Sequence, residues 1–140
     1  MVKISKKFKW EMGHRLMNHK GLCANPHGHS YQMQVILEGN INNDGMLMDY
    51  NDLEVIVNDV IKDFNHSFVV NSNDTIMKDF LKVNNFKHIV LEYEPTSENL
   101  CNVFANLIRK KLYQFTNIEK LTIRLYETKS VYAEIKIGVK

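Results

Sequence analysis

The chain has 140 residues, a formal net charge of +2, 44% hydrophobic and 24% charged residues. That balance suits one globular domain over residues 1–140 and excludes a disordered or collagen-like chain. The charge is too weak to predict a nucleic-acid partner, and no apolar run approaches the ~18 residues of a membrane span, so no membrane partner is expected.

Met1 to Trp10 is basic and lacks the apolar centre of a signal peptide, so a cytoplasmic location is expected. The first patterned segment puts Phe8, Trp10, Met12 and His14 on one parity and Lys7, Lys9 and Glu11 on the other, a half-buried strand. Arg15 to Pro26 reads as a loop. A second strand runs from about His27 to Glu38, with His27, His29, Tyr31, Met33, Val35 and Leu37 on its apolar face. Leu53, Ile56, Val57, Val60, Ile61 and Phe64 then form a helical stripe. Its cap is Asn51 in a capping box with Glu54, or alternatively Asp49.

Asn65 to Asn73 breaks the pattern, Asp74 to Val83 is a candidate short helix, and His88 to Tyr93 a candidate short strand. Thr96 is the expected N-cap of a further helix carrying Leu100, Val103, Phe104, Leu107 and Ile108, with Cys101 and Ala105 at the edge of the stripe. Two alternating strands, joined by a turn at Thr128 to Ser130, close the chain. Reduced to its clearest elements, this is strand, strand, helix, helix, strand, strand: an α+β sandwich with helices on the apolar face of an antiparallel sheet.

His27 and His29 form an H-x-H pair whose period of two sets both imidazoles on one face, and His14 ends the neighbouring strand on its apolar side. Three neutral imidazoles leave one coordination position open, as in catalytic zinc sites. Cys23, four residues before His27, admits three readings: an inert thiol, a fourth ligand, or a thiolate acting as base or nucleophile. Glu127 shares the inward parity of Leu121, Ile123 and Leu125, so it either meets a partner or marks where the strand reaches solvent. The two cysteines, Cys23 and Cys101, are expected as free thiols.

The segment from Cys23 through Pro26, His27 and His29 to Tyr31, with Glu11 to Leu16, resembles the signature of the 6-pyruvoyl tetrahydropterin synthase and 6-carboxytetrahydropterin synthase family. Gly45 to Tyr50, Asn65 and His66 with Asn71, Pro95 to Asn99, and Tyr126 to Thr128 resemble further motifs of that family in the same order. An unrelated H-x-H fold such as a cupin fits poorly, because two helices interrupt the strands.

The resemblance implies a tunnelling fold: a four-stranded antiparallel sheet with two helices packed on one face. Subunits of that fold assemble as a homohexamer, a dimer of trimers with active sites between subunits. By motif, His14, His27 and His29 become ligands of Zn2+, Cys23 the general base, His66 its relay partner and Glu127 the anchor of the pterin. Thr96, Ser97 and Glu98 fall in the segment lining the pterin pocket. The implied activity is a lyase converting 7,8-dihydroneopterin triphosphate to 6-carboxytetrahydropterin, acetaldehyde and triphosphate, towards queuosine. The runner-up stops at triphosphate elimination, as 6-pyruvoyl tetrahydropterin synthase does. A pterin- or metal-binding homologue without catalysis is the third reading, because Asn65 stands where the family usually has Asp. Arg15 and Lys20, in the loop between ligands, are candidates to meet the triphosphate.

Overall fold

Alternation along the first strand extends further than the sequence predicts, over β1 (Val2–His14). Lys6 hides its beginning by interrupting the apolar parity of Ile4 and Phe8. Its ammonium reaches Glu54 on the following helix at 3.8 Å. The computed structural model describes Met1–Lys140. After β1 come a 3₁₀ turn (Leu22–Ala24), β2 (His27–Gly39), α1 (Tyr50–Phe64), β3 (Ser67–Asn71), α2 (Thr75–Val83), β4 (His88–Leu91), α3 (Ser97–Leu112), β5 (Ile118–Thr128) and β6 (Val131–Gly138). No helix is long and apolar enough to cross a membrane.

The strands form one sheet in the order β4-β3-β1-β2-β5-β6. β1, β2, β5 and β6 pair antiparallel, as expected. The expectation of only four strands is corrected: β3 adds parallel to β1 over Met12–His14, and β4 parallel to β3, giving a six-stranded mixed sheet. β3 is too short to display alternation, and Val69 and Val70 are both buried, so the segment carries no period of two. The expectation of two helices is likewise corrected to three, since α2 is well formed although only Leu81 of it is buried.

Asp49, not Asn51, caps α1: its carboxylate accepts from Asn51 N at 2.7 Å. Thr96 caps α3 by accepting from Asn99 N at 3.1 Å, as expected. α1 and α3 close one core of 26 buried residues against the inward faces of β1, β2 and β5. Trp10 lies at its centre, stacked on Tyr31 (5.8 Å) and edge-on to Phe104 (5.2 Å). Burial of one such large side chain contributes about 1.5–3 kcal/mol. Cys101 and Ala105 sit inside the α3 interface, not at its edge. Their small side chains let the helix approach β5 until Cys101 Sγ lies 3.3 Å from Ile123 O.

Candidate metal centre and its surroundings

Register brings the histidines together. β1 and β2 pair His14 with His27 and Met12 with His29, so one strand end presents His14 directly across from His27 and diagonal to His29. Between them the partners are Gly13 and Gly28. A Cβ on Gly13 would stand 3.0 Å from the Phe68 ring, and one on Gly28 3.3 Å from Met12 O, so a side chain at either position would need its neighbours to shift by a few tenths of an ångström.

Two rings are aimed by backbone carbonyls. His14 Nδ1 lies 2.7 Å from Pro95 O, just ahead of α3, and His27 Nδ1 lies 2.7 Å from Asn25 O. A carbonyl only accepts, so each Nδ1 carries the proton and each Nε2 presents a lone pair. Those two Nε2 atoms face each other at 3.1 Å. The Nε2 of His29 is buried and has no hydrogen-bond partner. The donor atoms of the three rings all lie within 4.8 Å of one another.

One shared proton could join His14 to His27 but would leave His29 Nε2 orphaned, whereas a single cation satisfies all three. Tetrahedral zinc, with Zn–N bonds of about 2.0–2.1 Å, separates its ligand nitrogens by roughly 3.3 Å. The donor set therefore fits the ion. Electrostatics agree. Burial first, then the neighbouring His27 and His29, against the pull of Pro95 O, lower the pKa of His14 to about 4. Burial also lowers His29, opposed by Glu127. Both rings are neutral near pH 7 and so able to act as ligands. Burial, then the charge of Glu127, pushes the Tyr31 hydroxyl up, so it stays a phenol 3.4 Å from His14 Nδ1.

Glu127 is the extra residue of a bulge where the β5–β6 register shifts between Tyr126 and Thr128. Its Oε2 is 3.9 Å from His29 Nε2, and both border a cleft of ≈ 630 Å³ with Lys7, Lys9 and Gln32. The carboxylate approaches His29, the partnered reading of its parity, with a quarter of the side chain still exposed.

Cys23 sits half-buried on the 3₁₀ turn, its carbonyl accepting from Leu16 N at 2.8 Å. Cys23 and Cys101 are both free thiols. His66 adopts a positive φ of 60° directly after α1. Its Nδ1 lies 2.9 Å from Asn65 Oδ1, which also accepts from Glu11 N at 3.2 Å. No hydrogen bond joins His66 to Cys23 within the chain. Thr96 is occupied with its cap, Ser97 Oγ lies 3.3 Å from Glu98 Oε1, and none of Thr96, Ser97 and Glu98 borders the Glu127 cleft.

Sequence reasoning missed the parts that aim the site. The Pro95 carbonyl has no side-chain signature. Asp74 was visible only as a helix beginning, yet its carboxylate holds Arg15 through a two-point fork at 2.5 and 2.7 Å. Arg15 is thus already paired, which argues against it as a phosphate ligand. Tyr31, two residues beyond His29, was detectable as a continuation of the period-two face. A larger cleft of ≈ 1190 Å³ between α1 and α3 holds none of the candidate residues; its floor is Asp59 bridged to Lys62 and Lys111.

A family model described as 6-pyruvoyl tetrahydropterin synthase matches residues 3–137. The chain is 33% identical to the 6-carboxy-5,6,7,8-tetrahydropterin synthase of Haemophilus influenzae, covering 96% of this chain and 98% of that one. It is 26% identical to the protein of the same name from Rickettsia conorii, over 96% and 100%. Among solved structures, an uncharacterized protein from Wolinella succinogenes superposes with a TM-score of 0.82 at 18% identity, over 96% and 97% of the two chains. The Plasmodium falciparum 6-pyruvoyl tetrahydropterin synthase superposes with a TM-score of 0.77 at 15% identity, over 98% of each, a likeness of fold.

Proposed function

The chain belongs to the 6-pyruvoyl tetrahydropterin synthase family, and we propose that it is a zinc-dependent lyase converting 7,8-dihydroneopterin triphosphate to 6-carboxy-5,6,7,8-tetrahydropterin, acetaldehyde and triphosphate, towards queuosine. One observation carries this reading: three imidazoles converge on one point beside Glu127, the third with an orphaned Nε2. The names of the curated relatives supply the product.

His14, His27 and His29 would hold the ion. Zinc, when bound, supplies a Lewis acid that polarises substrate oxygens and acidifies the neighbouring C–H. The thiolate of Cys23 removes that proton as general base. His66 relays it: Asn65 Oδ1 takes its Nδ1–H, which leaves Nε2 free to accept. Glu127 accepts two parallel N–H bonds from the guanidine-like edge of the pterin, and this bidentate geometry fixes the ring beside the imidazoles. Thr96, Ser97 and Glu98 line the pterin pocket from a neighbouring subunit of a homohexamer. Two features support that assembly. Cys23 and His66 are not joined within one chain, and β1 is paired to β3 only over Met12–His14, leaving most of that edge open, with β6 the opposite sheet edge.

Incubation of the zinc-loaded protein with dihydroneopterin triphosphate, with the products weighed by mass spectrometry, tests the reading. Acetaldehyde and the 6-carboxy product are expected. A 6-pyruvoyl product without acetaldehyde would establish the runner-up activity instead. Asn65 favours the alternative of a pterin-binding homologue without catalysis. Turnover that Cys23→Ala abolishes while zinc is retained would refute that alternative.

A further inference from the structure

We infer that the Arg15–Asp74 pair is a positioning device that holds the Cys23 turn against the end of β1, the strand that carries His14. Arg15 directly follows the candidate ligand His14, the last residue of β1. Its Nε and Nη2 bond both carboxylate oxygens of Asp74 at 2.5 and 2.7 Å. Its third nitrogen, Nη1, points to Ala24 O at 3.4 Å, the last residue of the 3₁₀ turn that carries Cys23. The next residue continues the clamp: Leu16 N donates to the carbonyl of Cys23 itself at 2.8 Å.

Asp74 is in turn immobile. It is 3% exposed, and as N-cap of α2 it accepts from Met77 N at 3.3 Å. The guanidinium therefore joins three elements at one point: the ligand-bearing strand, the thiol-bearing turn and α2. A lysine has the charge but not the fork, and cannot bond carboxylate and carbonyl in these three directions at once. Neither Arg15 nor Asp74 needs to touch substrate. Their effect passes through the placement of the Cys23 thiol.

The inference rests on the reading of Cys23 as the base, and the test separates the two. Arg15→Lys and Asp74→Asn are the variants; asparagine remains a good N-cap, so α2 keeps its start. Zinc content, kcat and KM for dihydroneopterin triphosphate, and the rate of Cys23 alkylation by iodoacetamide are measured. Zinc content is expected to be unchanged and KM to stay within about twofold. kcat is expected to fall about 10- to 100-fold, the scale of a displacement of order 1 Å of a reacting group. Alkylation of the half-buried Cys23 is expected to quicken as its turn loosens. Folded variants with parental kcat and parental alkylation rates would overturn the inference. So would a loss confined to thermal stability, which is what a purely structural ion pair gives. If Cys23→Ala keeps full activity, the base assignment fails, while the alkylation rates still report whether the clamp holds the turn.

Discussion

His14 Nε2 and His27 Nε2 face each other at 3.1 Å, each ring held by a backbone carbonyl on its other nitrogen. Two lone pairs so placed repel, and only a proton or a cation between them turns the arrangement from a cost into an attraction. Because burial holds His14 down to about 4, a proton does not remain there near pH 7. The first prediction follows. The metal-free protein takes up one zinc ion per chain, and saturation to 100 times the dissociation constant raises its stability by about 2.7 kcal/mol. His29→Ala removes the ligand whose Nε2 is otherwise orphaned and should weaken zinc binding by more than the 10- to 100-fold typical of losing an outer-sphere partner. Zinc titration monitored by thermal unfolding reads both. An unchanged midpoint in the parent protein would rule out the site.

Glu127 approaches His29 to 3.9 Å from a bulge, so its carboxylate lies at the boundary between the ion site and the cleft. Glu127→Gln keeps the shape but replaces one acceptor oxygen by an NH2 donor and loses the charge, so it cannot accept two parallel N–H bonds from a pterin. Hydrogen bonds to a charged group are worth about 1.5–3 kcal/mol, so kcat/KM for dihydroneopterin triphosphate should drop roughly 10- to 100-fold. Zinc affinity should change little. Loss of zinc with retention of pterin binding would instead make Glu127 a metal-site residue.

How much of this was legible in the sequence depends on which interactions leave a periodic trace. The H-x-H spacing of His27 and His29 on an alternating strand places both rings on one face, and period two suffices for that. The inward parity of Glu127 leaves a partner and a solvent-exposed strand end both open, and it is the bulge geometry that brings its carboxylate to 3.9 Å from His29. β3 lacks such a trace, being five residues with consecutive buried valines. The partnership of Arg15 with Asp74 spans 59 positions, with the 3₁₀ turn, β2, α1 and β3 between them, and nothing local in either residue announces it. The Pro95 carbonyl that orients His14 is 81 positions away and is a backbone atom, which any residue would supply. The resemblance to a family marked which residues to examine, and the register of β1 on β2 explains why they meet.

Asn65 provides orientation without charge. Its Oδ1 serves both His66 Nδ1 and Glu11 N, pinning the imidazole to the first strand across the positive-φ turn. Asn65→Asp keeps that oxygen and adds a negative charge next to the ring, which favours the imidazolium. If His66 relays the proton from Cys23, the acidic limb of the kcat/KM profile should move to higher pH in the variant. Asn65→Ala should lower kcat about 10-fold or more, since a general acid–base contribution of 10²–10⁴ depends on placement. A pH profile identical in Asn65→Asp and parent would remove His66 from the proposed relay.

Asp74 links acid sensitivity to the same region. The Arg15 guanidinium, chiefly by its hydrogen bonds, then the Met77 N–H of the helix cap and the Arg15 charge, hold the Asp74 carboxyl below the usual carboxylate range, and burial opposes them only in part. The folded state therefore binds this proton more weakly than the unfolded chain, where the group titrates near ~3.9. The sign is fixed by that inequality: the pair's contribution is fully present above about pH 5 and is lost as pH falls through the unfolded value towards the depressed folded one. Asp74→Asn leaves Arg15 largely enclosed without its anion and should destabilise the protein at pH 7 by roughly 2–4 kcal/mol. At about pH 3 the parent has itself begun to lose the interaction, so the gap between the two proteins should narrow. Urea unfolding of parent and variant at both pH values measures it. A gap of the same size at pH 7 and pH 3 would mean that Asp74 acts through packing and its helix cap alone, and that the ion pair contributes nothing to the acid limb.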